Sequence, residues 1–515
     1  MTDDFRIVDD PEFSAMVSAR AGALLDVAGR LGAGDPETTL ALLTRPVLAF
    51  LHSHATQLEE LLDAYGALRN ERWRPFRRVI AAVKLFSRVH YALAHLVHAS
   101  PQYRLLCDEA DLNVGLDQAR RFTARVLHVA SRRLCEAAPS LGLTARAADV
   151  CEEVLPAGVL PRDCPLRHVG DVAETVTRLA TAFLNLAGDS TPLARAASTM
   201  TTDRRSTALP TENELRVHAE DFHNLQALYD TYVAYTDAER ADPELFSLRG
   251  HASVVYHLLD AATELMHYHE RHVLHAPSAA DRARLFSDQP DCIEPQHLDW
   301  VARDLLVLAA RYVQVGRSLA QQLLRRYAVQ GEVTVPVPRY RGFHVRPSTL
   351  VARVAYHYGS AVSMTLDGET YDASSPLELF RANEAINARK RRALAQEIGT
   401  LVNGTEARLG DDLVRTVRNL LVRLSEEGKV VLYEQPLPPI ESQATDGQPV
   451  LGFIVDAVAR LLALGKIDIV ADVSATFRGD RRVLADVALL AANGYGEDAY
   501  GNNIALPQEL SYLRR

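Results

Sequence analysis

Within residues 333–351 the sequence changes from the alternating pattern of a β-strand to the three- and four-residue spacing of an α-helix. Val333 to Val337 predicts a strand, and Gly342 gives the backbone freedom to turn after it. Pro347 suits the first turn of a helix, because its missing N–H would have no partner there. The helix is therefore expected to begin just after His344. Its buried face is predicted from apolar spacing and consists of Leu350, Val351, Val354, Ala355 and Tyr358.

His344 and Arg346 are expected to stand at the start of this helix. A helix N-terminus offers unpaired N–H groups and a partial positive charge, and both favour a bound anion. The same field disfavours an imidazolium, so His344 is expected to be neutral near pH 7, and a neutral ring nitrogen can attack phosphorus. This pattern predicts a phosphohistidine at His344, with Arg346 as a further cation for the phosphate. The alternative is that His344 only caps the helix and Arg346 is a solvated surface charge.

The run Gly342-Phe343-His344-Val345-Arg346-Pro347-Ser348 resembles the active-site motif of HPr, the histidine-containing phosphocarrier of the sugar phosphotransferase system. The resemblance continues through a predicted helix, two predicted strands joined by a turn, and a serine motif, at residues 345–360, 361–366, 369–373 and 374–376. It implies an HPr-like open-faced β-sandwich in which His344 accepts a phosphoryl group and Arg346 stabilises it. Ser375 aligns with a serine that is phosphorylated for regulation in some members. The alternative for Ser375 is a helix N-cap, with Glu378 as its capping-box partner.

By the same resemblance, the chain is expected to be a phosphocarrier or regulatory protein rather than a stand-alone catalyst. Its donor would be a phosphorylated protein resembling enzyme I of the phosphotransferase system, and its partner a downstream acceptor or regulated protein. Such a carrier needs no metal or other cofactor in its own domain. The alternative function is a scaffold that keeps the HPr-like fold without carrying phosphate and binds or senses through its helical part.

The chain of 515 residues, 48% of them hydrophobic, is long enough for about three domains. We expect an α+β multidomain protein: a large all-α N-terminal region followed by the HPr-like sandwich with a helical insertion. In that sandwich Gly428 to Glu434 would be the fourth strand and Val450 to Leu464 the closing helix, unless Asp411 to Leu424 closes the domain. The predicted segments are a helical domain at 1–187, a linker at 188–210, a helical domain at 211–330, the HPr-like domain at 331–466 with its insertion at about 383–427, and a C-terminal extension at 467–515.

A histidine-rich segment from His251 to His275 suggests a weaker alternative, a metal-binding helical sensor. Candidate ligands at helical spacing, with two from a neighbouring helix, are His257, Asp260, Glu264, His218 and His223. The segment holds one Glu-X-X-His pair, Glu264 to His267, whereas a di-iron bundle uses two. Polar helix faces with a few hydrogen-bonded core histidines explain the same residues, so no metal ligand is assigned.

The formal net charge of −10 and the pI near 6.0 argue against nucleic acid as a partner, because nucleic-acid binding favours a clustered basic surface. No uninterrupted apolar run approaches the roughly 20 residues of a membrane span, and the N-terminus is acidic. The chain is therefore expected in the cytoplasm, without membrane. Its five cysteines are few and widely spaced, which predicts reduced thiols.

Overall fold

The computed structural model describes residues 6–107, 109–150, 160–161, 163–189, 193, 209–274, 295–402, 413–433, 450–470 and 472–514. The chain is mostly helical (72%) and has a small antiparallel sheet. It divides into two compact units, here called the N-terminal unit, Met1–Leu323, and the C-terminal unit, Leu324–Arg515. Most of the predicted linker at 188–210 lies outside the described residues.

The described part of the N-terminal unit is built from helices, which agrees with the amphipathic pattern of its sequence. Local caps set several helix starts: the Asp9 side chain accepts from the Glu12 amide, and Thr211 and Glu214 form a reciprocal capping box. The helices are α1 (Asp10–Gly32), α2 (Pro36–Leu42), α3 (Arg45–Ala64), α4 (Arg74–Ala99), α5 (Glu109–Ala137), α6 (Val172–Asp189), α7 (Glu212–Tyr232), α8 (Asp237–Ala241), α9 (Glu244–Tyr268) and α10 (Pro295–Tyr327), the last of which contains the division between the units.

Helix α4 buries most of its residues in the N-terminal unit. Together with the short turn after it, at Arg74–Gln102, it is long and apolar enough to cross a membrane, although no uninterrupted apolar run marks it in the sequence. In the structure 72% of its most apolar window is buried within the protein. Phe76 and Phe86 on this helix are fully buried, so its apolar surface serves the core of the N-terminal unit.

The C-terminal unit holds a four-stranded antiparallel sheet and a separate two-stranded sheet. The four-stranded sheet has the order β1-β6-β2-β3, and the second sheet pairs β4 with β5. In chain order the elements are β1 (Gln330–Pro336), α11 (Val345–Tyr358), β2 (Val362–Leu366), β3 (Glu369–Asp372), α12 (Pro376–Val402), α13 (Leu413–Glu426), β4 (Val430–Leu432), α14 (Val450–Ala463), β5 (Ile467–Ile469), β6 (Ser474–Asp480) and α15 (Arg481–Ala492).

One face of the four-stranded sheet is buried against helices. Val333, Phe477, Met364 and Tyr371 face one another across the four strands in register, and Phe477 and Met364 are fully buried. The core around them includes side chains from the three helices that follow β1, β3 and β6, namely α11, α12 and α15. This layer of helices on one sheet face places the start of α11 beside the tail that follows α15.

The fourth strand of this sheet is not where the sequence predicts it. Gly428 to Glu434 was the expected strand, but Val430–Leu432 pairs instead with Ile467–Ile469 in the second sheet. Ser474–Asp480 lies between β1 and β2, and α15 rather than the helix at 450–463 packs on it. The physical reason is alternation: β6 buries Ala475, Phe477 and Gly479 on the core face, while β4 has only three residues.

The alternative closing helix, Asp411 to Leu424, does not cover the sheet either. Its described part, in α13, packs with α14, β4, β5 and the second half of α12 in a separate hydrophobic cluster. Helix α12 joins both cores, because Leu379 and Ile386 lie in the sheet core whereas Leu394 and Ile398 lie in the second cluster. Of the predicted extension at 467–515, β5 belongs to the second sheet, whereas β6, α15 and the tail residues Leu506, Leu510 and Leu513 belong to the four-stranded sheet and its core.

Candidate functional site

The start of α11 has the geometry that the sequence predicts. Gly342 has φ +62, a left-handed backbone that favours glycine, and a Cβ there would lie 2.4 Å from Oδ1 of Asn383. His344 is the N-cap residue, with φ −72 and ψ −173, and its carbonyl accepts from the Ser348 amide at 3.1 Å. Pro347 is the third residue of the helix. The imidazole is therefore carried by the residue at which the chain enters the helix.

The His344 ring is hydrogen bonded to Glu497. Nε2 of His344 lies 2.8 Å from Oε2 of Glu497, whose side chain is 5% exposed, and the histidine side chain is 22% exposed. An ionised carboxylate can only accept, so Nε2 carries the proton and the lone pair of the neutral ring is on Nδ1. Among the described residues no hydrogen bond to Nδ1 is found. The arrangement is that of an oriented nucleophilic nitrogen.

Arg346 lies against the same carboxylate. Its Nε is 3.7 Å from Oε1 of Glu497, and Nη1 donates to Oδ1 of Asn503 in the C-terminal tail. The structure thus brings the two predicted residues, His344 and Arg346, together on one buried acid. Arg346 balances part of the charge on Glu497 and keeps a guanidinium beside the ring.

The first turn of α11 leaves backbone donors at its start. The His344 side chain makes no capping hydrogen bond. Val345 and Arg346 are the first two residues of the helix, where an amide has no partner within the helix, and Pro347 has no N–H to offer. Two amides of this turn are therefore suited to a bound anion.

Ser375 is not brought into this constellation. Its Oγ accepts from the Glu378 amide at 3.4 Å, so it caps the start of α12, while the Glu378 carboxylate binds Arg381 instead of completing a capping box. Among the described residues no hydrogen bond or ion pair joins Ser375 to His344 or Arg346. Its regulatory role stays a prediction.

Tyr340 packs against the histidine ring. The two ring centroids are 5.3 Å apart at 87°, and the other side of Tyr340 meets Tyr433 at 5.1 Å. A Cβ at Gly501 would lie 2.6 Å from the Tyr340 ring, which shows how closely the C-terminal tail approaches it. Burial beside Asp468 raises the pKa of Tyr433, so this phenol stays protonated. Tyr340 thus links the histidine to Tyr433, the residue after β4, and to the tail.

The loop before His344 is anchored by a buried ion pair. The Arg341 amide donates to Oδ2 of Asp468 at 2.9 Å, and Nζ of Lys390 lies 2.7 Å from Oδ1 of the same carboxylate. The side chains of Lys390 and Asp468 are 2% and 4% exposed. Because Asp468 lies on β5, the second sheet helps to hold the loop that leads to His344.

Sequence reasoning missed Glu497, Asn503 and Asp468. Glu497 follows the Asn493-Gly-Tyr-Gly turn, where nothing in the local pattern distinguishes it from a surface acid. The sequence signal that could have found Glu497 is the alternation of apolar residues in β6. It identifies β6 as the fourth strand and α15 as the helix after it, and the turn that follows α15 then leads back to the sheet. Tyr495 makes this return, because its OH donates to the Pro336 carbonyl at 2.8 Å.

The described part of the histidine-rich segment contains no group of metal ligands of the predicted kind. Asp260 and Glu264 both bind Arg88, at 3.1 and 3.0 Å, and the His257 ring packs on His95 with centroids 4.6 Å apart. Burial lowers the pKa of His257 to about 3, with smaller effects from His95, Arg249 and His223. Among the described residues no three His, Cys, Asp or Glu side chains are grouped as metal ligands, and His275 lies outside them.

The comparisons with known proteins add no relative. No protein-family model matches the chain, and neither a search of curated proteins nor a search of solved structures gave a significant match.

Proposed function

We propose that the chain is an HPr-like phosphocarrier or regulatory protein of a phosphotransferase system, in which His344 accepts a phosphoryl group from a phosphorylated donor protein. The observation that carries the proposal is the hydrogen bond from Nε2 of His344 to the buried carboxylate of Glu497 at the start of α11. It leaves the lone pair on Nδ1 and offsets the positive charge that the ring gains on phosphorylation.

Each polar group of the site then has a role. Nδ1 of His344 forms the new N–P bond while the bond between phosphorus and the donor breaks. Glu497 holds the proton on Nε2 and stabilises the cationic phosphoimidazole. Arg346 and the first amides of α11 bind the phosphoryl oxygens, for which Arg346 exchanges its contact with Asn503.

The architecture supports the HPr-like interpretation. The resemblance requires a fourth strand and a closing helix after the Ser375 helix, and β6 and α15 are elements of that kind. In this proposal the part of the chain between α12 and β6 is an insertion into the sandwich. The donor would resemble enzyme I, the acceptor would be a downstream or regulated protein, and the N-terminal unit would sense or dock in the cytoplasm.

The test is chemical phosphorylation of the full chain with phosphoramidate, a small donor whose P–N bond breaks with release of ammonia. We expect one acid-labile phosphate per chain on Nδ1 of His344, located by mass spectrometry and by nitrogen–phosphorus couplings in NMR. His344→Ala should abolish it. His357→Ala is the matched control and should retain it, because His357 lies on the same helix and is the other histidine of residues 324–515.

A second candidate, the scaffold without phosphate, is favoured by one feature of the site. The His344 side chain is only 22% exposed, and Arg346 is already engaged by Glu497 and Asn503. If phosphoramidate and phosphorylated donor proteins leave the folded wild-type chain unmodified, the scaffold is the better account.

A further inference from the structure

A cleft of about 240 Å³ lies between α12 and the C-terminal end of α14 in the C-terminal unit. Its polar lining consists of Arg341, Asn387, Arg391 and Asp468, and the rest comes from residues 462–465 and Ile467. We propose that this cleft binds a small molecule through a phosphate group.

The charge balance of the cleft favours an anion. Asp468, its one acid, already accepts from both Lys390 and backbone amides: Nζ of Lys390 at 2.7 and 2.9 Å, the Arg341 amide at 2.9 Å and the Ile469 amide at 2.7 Å. Lys390 therefore compensates this carboxylate. Arg341 and Arg391 remain as two cations of the lining that form no ion pair with a described acid.

Asn387 and Arg391 are four residues apart on α12, so their side chains lie on one face of the helix. Among the described residues neither side chain has an ion pair or a hydrogen bond. The neighbouring arginines differ, because Arg389 binds Asp367 at 3.1 Å and Arg392 donates to the Ala388 carbonyl at 3.4 Å. An amide and a guanidinium are thus left to face the cleft.

Arg341 is held in place before any ligand arrives. Its Nη2 donates to the Gly465 carbonyl at 2.7 Å, and its guanidinium lies over the rings of Tyr340 and Tyr433, at 5.2 and 5.9 Å from their centroids. Gly465 has φ +64, and a Cβ there would collide with this guanidinium. A fixed guanidinium loses less conformational entropy when it binds an anion than a mobile one.

The C-terminal end of α14 does not oppose an anion, although a helix C-terminus carries a partial negative charge. The carbonyls of its last turn, at Arg460, Leu461 and Leu462, accept from the amides of Leu464, Lys466 and Gly465 at 2.9 Å each. These hydrogen bonds close the helix end in the manner of a glycine C-cap.

The chemistry of the lining selects the ligand class. Guanidinium groups match the fork geometry of phosphate oxygens, and an amide adds a neutral donor. The volume is below the roughly 300 to 1,000 Å³ of pockets for drug-sized ligands, which limits the ligand to a small one. Free inorganic phosphate species and the phosphate of a small metabolite share this chemistry.

The test is isothermal titration calorimetry of the full chain with inorganic pyrophosphate at fixed salt. We expect one saturable site per chain, and an affinity that Arg391→Gln lowers about tenfold, since one charge-assisted contact is lost. Arg392→Gln, the next residue of the same helix and outside the cleft lining, should bind like the wild type. Separate titrations with inorganic phosphate and with a phosphorylated sugar distinguish the two sources. The probe that binds more tightly identifies the class of natural ligand.

Three results would overturn the proposal: no saturable binding of any of these probes, an equal loss in Arg391→Gln and Arg392→Gln, or equally tight binding of the tricarboxylate tricarballylate. Circular dichroism of each variant shows that it is folded, and Arg391 is exposed, so its replacement leaves the core intact. The assay measures binding alone and does not depend on whether His344 is phosphorylated.

Discussion

The hydrogen bond between His344 and Glu497 joins side chains 153 positions apart in the sequence. A carboxylate fixes one tautomer of the ring, whereas an amide can donate or accept and fixes neither. It also supplies the negative charge that a phosphorylated, cationic ring requires. At the scale of single residues, the tautomer of the His344 ring therefore depends on the charge of Glu497 more than on its shape.

We expect Glu497→Gln to lower the initial rate of phosphorylation by phosphoramidate by at least about tenfold, because it removes both the charge and the tautomer preference. Nitrogen chemical shifts of the His344 ring should change from one tautomer to a mixture. Glu509→Gln, an exposed acid of the same tail, should leave the rate and the shifts unchanged. An unaltered rate in Glu497→Gln with a single tautomer would contradict the assigned role.

The buried ion pair of Lys390 and Asp468 is expected to stabilise the C-terminal unit. Asp468→Asn leaves the Lys390 charge buried without a counterion, which should cost about 3 kcal/mol of unfolding free energy. Hydrogen exchange of peptides from residues 324–515 in increasing denaturant measures this loss.

Asp367→Asn is the control for that change. Its partner Arg389 is 47% exposed, and such surface pairs contribute below about 1 kcal/mol. Asparagine also tolerates the positive φ of this position. Equal losses in the two variants would show that the pair at Asp468 is not the anchor inferred here.

At the scale of elements, α4 and α5 are joined by a buried histidine. His90 on α4 is 0% exposed, and its Nδ1 is 2.7 Å from Oγ1 of Thr123 on α5. Burial lowers the pKa of His90 to about 3, with a smaller effect from Arg120. The folded state therefore keeps this ring neutral at a pH where the unfolded chain protonates it.

The buried, neutral His90 ring makes the folded state less stable at low pH. Below the ordinary histidine pKa of 6.5 the unfolded chain binds a proton that the folded chain does not, so stability is complete above this value and falls as the pH is lowered towards 3. Between pH 7 and pH 5 we expect His90 to account for a loss of about 2 kcal/mol. His90→Gln should remove this part of the slope, measured by urea unfolding followed through the two tryptophans, which both lie in the N-terminal unit. His98→Gln, an exposed position on α4, should leave the slope as in the wild type.

At the scale of the whole molecule, the apolar surface of α4 could be buried either in a membrane or in the core of the protein. Since 72% of its most apolar window is buried within the protein, we expect the folded chain to remain in the supernatant without detergent. Flotation with liposomes of neutral and anionic lipids measures this directly. Recovery of the chain with the floating lipid would show that α4 leaves the core.

Local chemistry in the sequence determined the features that depend on residues a few positions apart. The helix start after His344, the turn at Asp367 and Gly368 and the N-cap at Ser375 are of this kind, because each is made by hydrogen bonds or backbone angles within about four residues. The core face of α11 could be predicted for the same reason, since helical spacing is a local property.

Only the tertiary structure decided which strand completes the sheet and which acid meets His344. Whether β4 or β6 completes the four-stranded sheet depends on the sum of contacts that the side chains of each strand make in the finished core. Glu497 reaches the ring only after that choice, because β6 and α15 carry the tail back to the start of α11. The sequence alone determined the helix start that carries His344, and long-range packing determined the charge beside it.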